Sequence, residues 1–244
     1  MSISTARQRL VEYLGLSLLL GMVAAIAMLV FLGWLTDEVL EGDARRFDDI
    51  TREAVHTFAS PTMTTVMHGL SFIGSSLFLT IATAAVIVIF ALREWGREAR
   101  LFALTMIGAS VLNITLKLAF KRARPVPFFD LAAPASYSFP SGHSLASCCF
   151  FAGLAAILSG RVKSKRARML IWIAASVMFL LIGLSRIYLG VHYTTDVIAG
   201  FSAALIWIVV VRFVELQLAR RRQRKTVPQR STRSTRSTEN TKNI

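Results

Sequence analysis

Charged residues along this chain are bunched, and long uncharged apolar runs separate the bunches. About 20 apolar residues let a helix cross a hydrocarbon layer of ~30 Å. Six stretches qualify: Leu14–Leu35, about Ser71–Leu92, Leu101–Phe120, about Ser141–Ser159, Met169–Tyr188 and about His192–Val211. Arg186 and Asp196 cut into the last two, which read as spans with polar ends. The pattern predicts an all-α polytopic membrane bundle of six transmembrane helices. The stretch Ala54–Leu92 holds no Asp, Glu, Lys or Arg but is too long for one span. Pro61, His56, His68 and several Ser and Thr residues mark its first half as a short interfacial helical region after the first span. The first run follows Arg7 and Arg9 without a small-residue cleavage site, so it reads as a retained span. The expected layout is a cytoplasmic N-terminus over 1–13, a membrane domain over 14–211 and a basic, disordered cytoplasmic tail over 212–244.

Composition agrees with a membrane chain: 54% hydrophobic and 17% charged over 244 residues, with mean hydropathy +0.56. The net charge of +14 does not argue for nucleic-acid binding, because from Arg212 onward ten basic residues face two acidic ones. Arg220, Arg221, Arg222, Arg224 and Lys225 form a juxtamembrane cluster of the kind drawn to anionic lipid headgroups. Cys148 and Cys149 are the only cysteines; adjacent and mid-span, they read as small packing residues rather than a disulfide or metal pair.

Basic residues also set the orientation. Arg7 and Arg9, the Arg93–Arg100 connection, the Arg161–Arg168 connection and the tail all fall on one side, which puts both termini in the cytoplasm. The connection after the first span carries seven acidic residues against three arginines and lies outside. The segment from Phe120 to Pro140 breaks the rule: external by topology, it holds Lys121, Arg122 and Arg124 against Asp130. A cationic segment on the wrong side calls for an anionic ligand.

Three polar clusters at the ends of apolar runs carry the chemistry: Lys117 with Arg124-Pro125, Pro140-Ser141-Gly142-His143, and Ser185-Arg186 with His192 and Asp196. His192 and Asp196 are four apart, so on a helix they share a face and the carboxylate can fix the imidazole tautomer, leaving the other nitrogen as a nucleophile. Asp196 can equally cap the sixth helix. Ser141 and Gly142 open a helix, where free backbone N–H groups receive anions, and His143 stands beside them as an acid; a plain cap with an interfacial histidine is the competing reading. Lys117, Arg124 and Arg186 suit the oxygens of a phosphoryl group, although basic residues at span ends also snorkel to headgroups. Lys121 and Arg122 are read as snorkelling. Two histidines and an aspartate could bind zinc, but the surrounding cations would repel a divalent ion, so no metal or other cofactor is expected.

Written as spacings, K-x6-R-P, P-S-G-H and S-R-x5-H-x3-D in this order resemble the signature of the type 2 phosphatidic acid phosphatase superfamily, which includes lipid phosphatases, bacterial acid phosphatases and vanadium haloperoxidases. Every signature position is matched over Lys117–Asp196. The six-span layout is similar to the lipid-phosphatase branch, with its bacterial phosphatidylglycerophosphatase and undecaprenyl-diphosphatase types. The resemblance implies a helical core and a metal-independent hydrolase acting on a membrane lipid phosphate. It implies His192 as the nucleophile forming a phosphohistidine, Asp196 as its orienting partner and His143 as acid, then base. Lys117, Arg124, Ser141, Gly142 and Arg186 would hold the phosphate. Undecaprenyl diphosphate and phosphatidylglycerol phosphate are the first substrates expected, with phosphatidic acid and the phosphates of lipid A also open. A lipid phosphotransferase, or a transporter or scaffold with a degenerate site, are the alternatives. The expected location is the cell inner membrane, with the site on the external face.

The charge pattern makes a direct prediction about sidedness. Single cysteines introduced as Ala132→Cys and Ser164→Cys should behave oppositely towards an impermeant thiol reagent on intact cells, only the first being labelled. Labelling of Ser164→Cys alone would invert the topology.

Overall fold

A computed structural model describes residues 23–24, 26–129 and 134–226, with side chains up to 219. The described chain is all helical: α1 (26–41), then α2 (Arg45–His56), α3 (Pro61–Ile73), α4 (Ser76–Leu92), α5 (Gly96–Phe120), α6 (Gly142–Arg161), α7 (Lys165–Tyr188) and α8 (Thr194–Thr226). Four of these are long and apolar enough to cross a membrane: α5, α6, α7 and the Thr194–Ala219 portion of α8. The bent pair α3 and α4 would make five if it is one span. The first part of the expected first span Leu14–Leu35, residues 14–22, lies outside the described residues, as do the N-terminus and the distal basic tail; its second part, from 26, is the start of α1.

The second expected span is not one straight helix. The axis turns by 51° between α3 and α4. Gly74 ends α3, and the Ser75 hydroxyl accepts the Phe78 N–H at 3.2 Å to start α4 anew. The first half of the charge-free stretch is α3 itself, opened by a Ser60 cap and Pro61 at its first turn. A further helix, α2, precedes it.

α6 is the most buried of the four spanning helices. Its sequence is rich in Gly, Ala, Ser and Cys, and small side chains let neighbouring backbones come close. Leu145, Cys148, Cys149 and Phe150 pack with Phe102, Met106 and Ala109 of α5, and with Ala203 and Ala204 of α8. Both cysteines are free and buried, as packing residues should be. Outward faces stay apolar: Ile81, Ile107, Ile114, Ile173 and Leu180 are all exposed. So many exposed large apolar side chains on α4, α5 and α7 suit lipid rather than water. By its contacts the chain divides into two units, Met1–Val211 and Arg212–Ile244; in the second, Arg212 pairs with Glu215 at 2.6 Å.

The α5–α8 contact is sized for glycine. A Cβ at Gly108 would sit 1.9 Å from Cζ2 of Trp207, whose indole N–H donates to the Thr105 carbonyl at 2.9 Å. Gly108→Ala should therefore destabilise the bundle by about 1–3 kcal/mol through overpacking. Gly69→Ala, where a Cβ meets nothing within 4 Å, should be neutral. Thermal unfolding in detergent tests both, and equal midpoints for the two variants would contradict the packing argument.

Candidate active site

The polar clusters meet at one end of the bundle because each lies at a helix end. Lys117 is on the last turn of α5. Arg124 follows in the extended connection, Ser141 and Gly142 open α6, Arg186 is on the last turn of α7, and His192 and Asp196 straddle the start of α8. Short connections between α7 and α8 hold the third cluster close: the Gly190 N–H bonds the Ile187 carbonyl at 2.9 Å, with Gly190 at φ +71°. A side chain there would strike Phe128, whose backbone nitrogen would lie 2.6 Å from a Cβ. Only glycine fits both the turn and the contact.

His192 is buried, with 2% of its surface exposed. Its Nδ1 faces Oδ2 of Asp196 at 3.3 Å, and its Nε2 faces an Arg124 N–H at 3.0 Å. A guanidinium has no acceptor, so Nε2 must present its lone pair, and the ring proton belongs on Nδ1, towards Asp196. Burial, reinforced by Arg124 and Arg186 and opposed by Asp196, pushes the His192 pKa down to about 4. The ring is neutral at ordinary pH, with its free lone pair among cations.

Asp196 has no exposed surface. Oδ2 accepts from the Ser138 hydroxyl and from the Tyr193 N–H at 2.9 Å, and Oδ1 accepts from Arg122 at 2.6 Å. The Tyr193 bond is a helix-start contact, so Asp196 both caps α8 and holds His192. Ser141 likewise caps α6, accepting from the Ser144 N–H at 3.4 Å and the Ser144 hydroxyl at 3.0 Å. Its own N–H donates to the Asp196 carbonyl at 2.9 Å.

The remaining expected residues converge on the same place. His143 lies within electrostatic reach of Arg186, His192, Arg124 and Lys117. Its ring edge packs against the α3–α4 break, 3.2 Å from where a Cβ at Gly74 would stand. Arg186 donates to the Ser71 hydroxyl of α3, and its Nε is buried without a hydrogen-bond partner. Lys117 donates to the Tyr137 carbonyl. Arg124 also holds the Ser136 carbonyl at 2.6 Å and the Val191 carbonyl at 2.8 Å.

Arg122 does not snorkel. It donates to Asp196 and, at 2.8 Å, to Asp48 of α2, and its guanidinium lies 4.2 Å over the Tyr193 ring. Burial opposes its charge, but Asp196 and Asp48 outweigh that and raise its pKa. Lys121 is exposed at the left-handed C-cap of α5, φ 47°. Sequence reasoning missed Asp48, Ser138 and Thr195. Asp48 is one of seven acids in its segment, and nothing local distinguishes it. For Arg122 a signal existed: two residues before Arg124 in extended chain, it shares that residue's side.

Fold and site together define a helical membrane protein in which cations and a paired histidine line one buried polar end. Residues 98–218 match the model of the PAP2 superfamily. The chain is 34% identical over 182 residues to phosphatidylglycerophosphatase B of Bacillus subtilis, covering 72% of this chain and 87% of that one. It is 29% identical over 133 residues to an undecaprenyl-diphosphatase of Sulfolobus acidocaldarius, covering 51% and 57%. The crystal structure of a transmembrane PAP2-type phosphatidylglycerolphosphate phosphatase from Bacillus subtilis superposes with a TM-score of 0.73 at 28% identity, over 80% of this chain and 96% of that one. The chain belongs to the PAP2 superfamily, and it is a membrane-embedded phosphatase, a hydrolase.

Gly200 seats α8 against the opening of α6: a Cβ there would lie 2.7 Å from the Ser141 carbonyl oxygen and 2.9 Å from Ser144 Cβ. Gly200→Ala should push Ser141 and Gly142 away from His192 and lower phosphatase activity at least tenfold, since placement errors near 1 Å weigh about 100-fold. Activity measured on folded, monodisperse protein checks this, and an unchanged rate would refute the tight seat.

Proposed function

We propose that this protein is a lipid phosphatase using a metal-independent phosphohistidine route, with Nε2 of His192 as the nucleophile. The observation that carries the proposal is the pair of contacts on that ring: carboxylate on Nδ1, guanidinium on Nε2. The incoming phosphoryl group takes the Arg124 N–H in exchange, so Arg124 turns from the nitrogen lone pair to the non-bridging oxygens. Lys117, Arg186 and the α6 opening at Ser141 and Gly142 complete the cradle. Nε2 attacks phosphorus, the P–O bond to the leaving group breaks, and the proton on His143 goes to the departing oxygen. Asp196 stabilises the charge left on the imidazole. His143 then takes a proton from water as that water attacks the phosphohistidine, releasing phosphate and neutral His192.

Similarity to the Bacillus phosphatidylglycerophosphatase supports a phosphatidylglycerol phosphate headgroup, and similarity to the archaeal undecaprenyl-diphosphatase supports a polyprenyl diphosphate. The broad membrane arrangement is a six-span domain over 14–211, counting Leu14–Leu35 and the bent α3–α4 pair. Both termini are cytoplasmic, the site faces outwards, and the tail after residue 212 meets anionic headgroups.

Phosphate release from a panel of lipid phosphates in detergent tests the reading. Activity should persist in EDTA and be inhibited by vanadate; a loss on chelation restored by one divalent ion would refute the metal-independent route. Phosphate appearing only with an added acceptor lipid would make the protein a phosphotransferase. His192→Ala should abolish turnover and trap no phosphohistidine. His143→Ala should lose roughly 10²–10⁴-fold on a lipid alkoxide leaving group and less on p-nitrophenyl phosphate. The limb of kcat/KM due to His192 should fall as pH drops through about 4, where the buried ring takes a proton and loses its lone pair.

A further inference from the structure

α2 lies outside all three motif clusters, yet its inner face is fastened to the His192 segment. Thr51 bonds Thr194 at 2.6 Å. Arg52 donates to the Val126 and Gly190 carbonyls at 2.8 and 3.2 Å. Asp48 has no exposed surface. Its Oδ1 accepts the Thr195 N–H at 2.8 Å, and its Oδ2 accepts the Thr195 hydroxyl at 2.7 Å and Arg122 at 2.8 Å. The Thr195 hydroxyl in turn accepts from the other Arg122 terminal nitrogen at 2.9 Å. The result is a closed ring of the buried Asp48 and Thr195 with the part-buried Arg122, joined to Asp196 through Arg122.

How Arg122 divides its donors matters for His192. One terminal nitrogen goes to Asp196 Oδ1 and the other to Asp48 Oδ2. A guanidinium beside a single carboxylate prefers to close on both of its oxygens. Asp48 prevents that, and Oδ2 of Asp196 is left facing His192. Arg122 thus bridges two buried carboxylates, Asp48 and Asp196.

We propose that Asp48 and Arg122 are positioning residues for the phosphoryl-transfer site: Asp48 restrains Arg122 to a single-point contact with Asp196, so that Asp196 remains aimed at His192. This rests on the reading of His192 as nucleophile. The charged and titratable groups around His192 are Asp196 of α8, Arg122 and Arg124 of the connection, Arg186 of α7, His143 of α6 and Lys117 of α5, with Asp48 and Arg52 of α2 behind them.

The test uses full-length protein in detergent with wild type, His192→Ala, Asp48→Asn, Arg122→Gln and the double variant. Thermal unfolding runs in parallel so that rates refer to folded protein. Asp48→Asn should lower kcat roughly 10- to 100-fold, the range for removing a group that orients a site ligand, with KM within about threefold. Arg122→Gln should partly rescue Asp48→Asn, because the fork that competes for Asp196 is gone; a staple that merely held α2 in place would show accumulating damage instead. The acid limb of kcat/KM should move down in Asp48→Asn, which loses a negative charge near His192, and up in Arg122→Gln, which loses a positive one. Additive losses in the double variant, a rise in KM with kcat intact, or acid limbs that stay with wild type would overturn the proposal. Should Asp48→Asn not fold, Arg122→Gln and Arg122→Lys decide: the limb moves up for Gln and stays for Lys, and a limb unmoved in both refutes the role. Wild-type protein that releases no phosphate, or an active His192→Ala, would instead defeat the proposed function itself.

Discussion

One buried carboxylate organises the polar end of this protein. Asp196 has no contact with solvent, and a charge in that position is tolerable only when every lone pair is met. Its partners come from separate parts of the chain: Ser138 and Arg122 from the long connection, Tyr193 and His192 from the turn before α8. Its backbone carbonyl ties down the opening of α6 through the Ser141 N–H. Oδ2 is shared by Ser138, His192 and Tyr193, whereas Oδ1 is met by Arg122, so meeting this one carboxylate fixes the elements that supply its partners relative to one another. The geometry around His192 follows from satisfying Asp196.

The break between α3 and α4 belongs to the same arrangement. A straight helix in place of α3 and α4 would run continuously past the site. Ending α3 at Gly74 brings Ser71 to Arg186 and leaves room for the His143 ring. The Ser75 cap restores the hydrogen bonding that the break interrupts. Gly74 at the break is buried in protein, and its N–H still bonds the Leu70 carbonyl at 3.2 Å.

α2 gives the amphipathic connection after α1 a definite place. Its inner positions, Asp48, Thr51, Arg52 and Val55, recur at three- and four-residue steps, as one helix face requires. Three of them bond the segment that carries His192, and Val55 packs beside Met67, Tyr188, Leu189 and Val191. Its outer positions, such as Phe47 and Ile50, are exposed. A helix with this division lies along the polar end of the bundle as a strap.

Much was legible in the sequence because its causes are local. Apolar runs longer than about 20 residues must find an apolar environment, and Ser141 caps the helix that opens just before one of them. The spacing of His192 and Asp196 signalled their pairing, although His192 lies in the turn before α8 rather than on a shared helix face and Asp196 reaches it from the helix start; charges retained at the ends of spans point to a polar site. The convergence of Lys117, Arg124, Ser141, Gly142, His143 and Arg186 was anticipated for the same reason. What the sequence could not decide were contacts between distant segments. Asp48 looks like any acid in an acidic connection, and Arg122 like any basic residue at a membrane edge. Only packing, which excludes water from between them and makes each unmet charge intolerable, singles out that aspartate and that arginine.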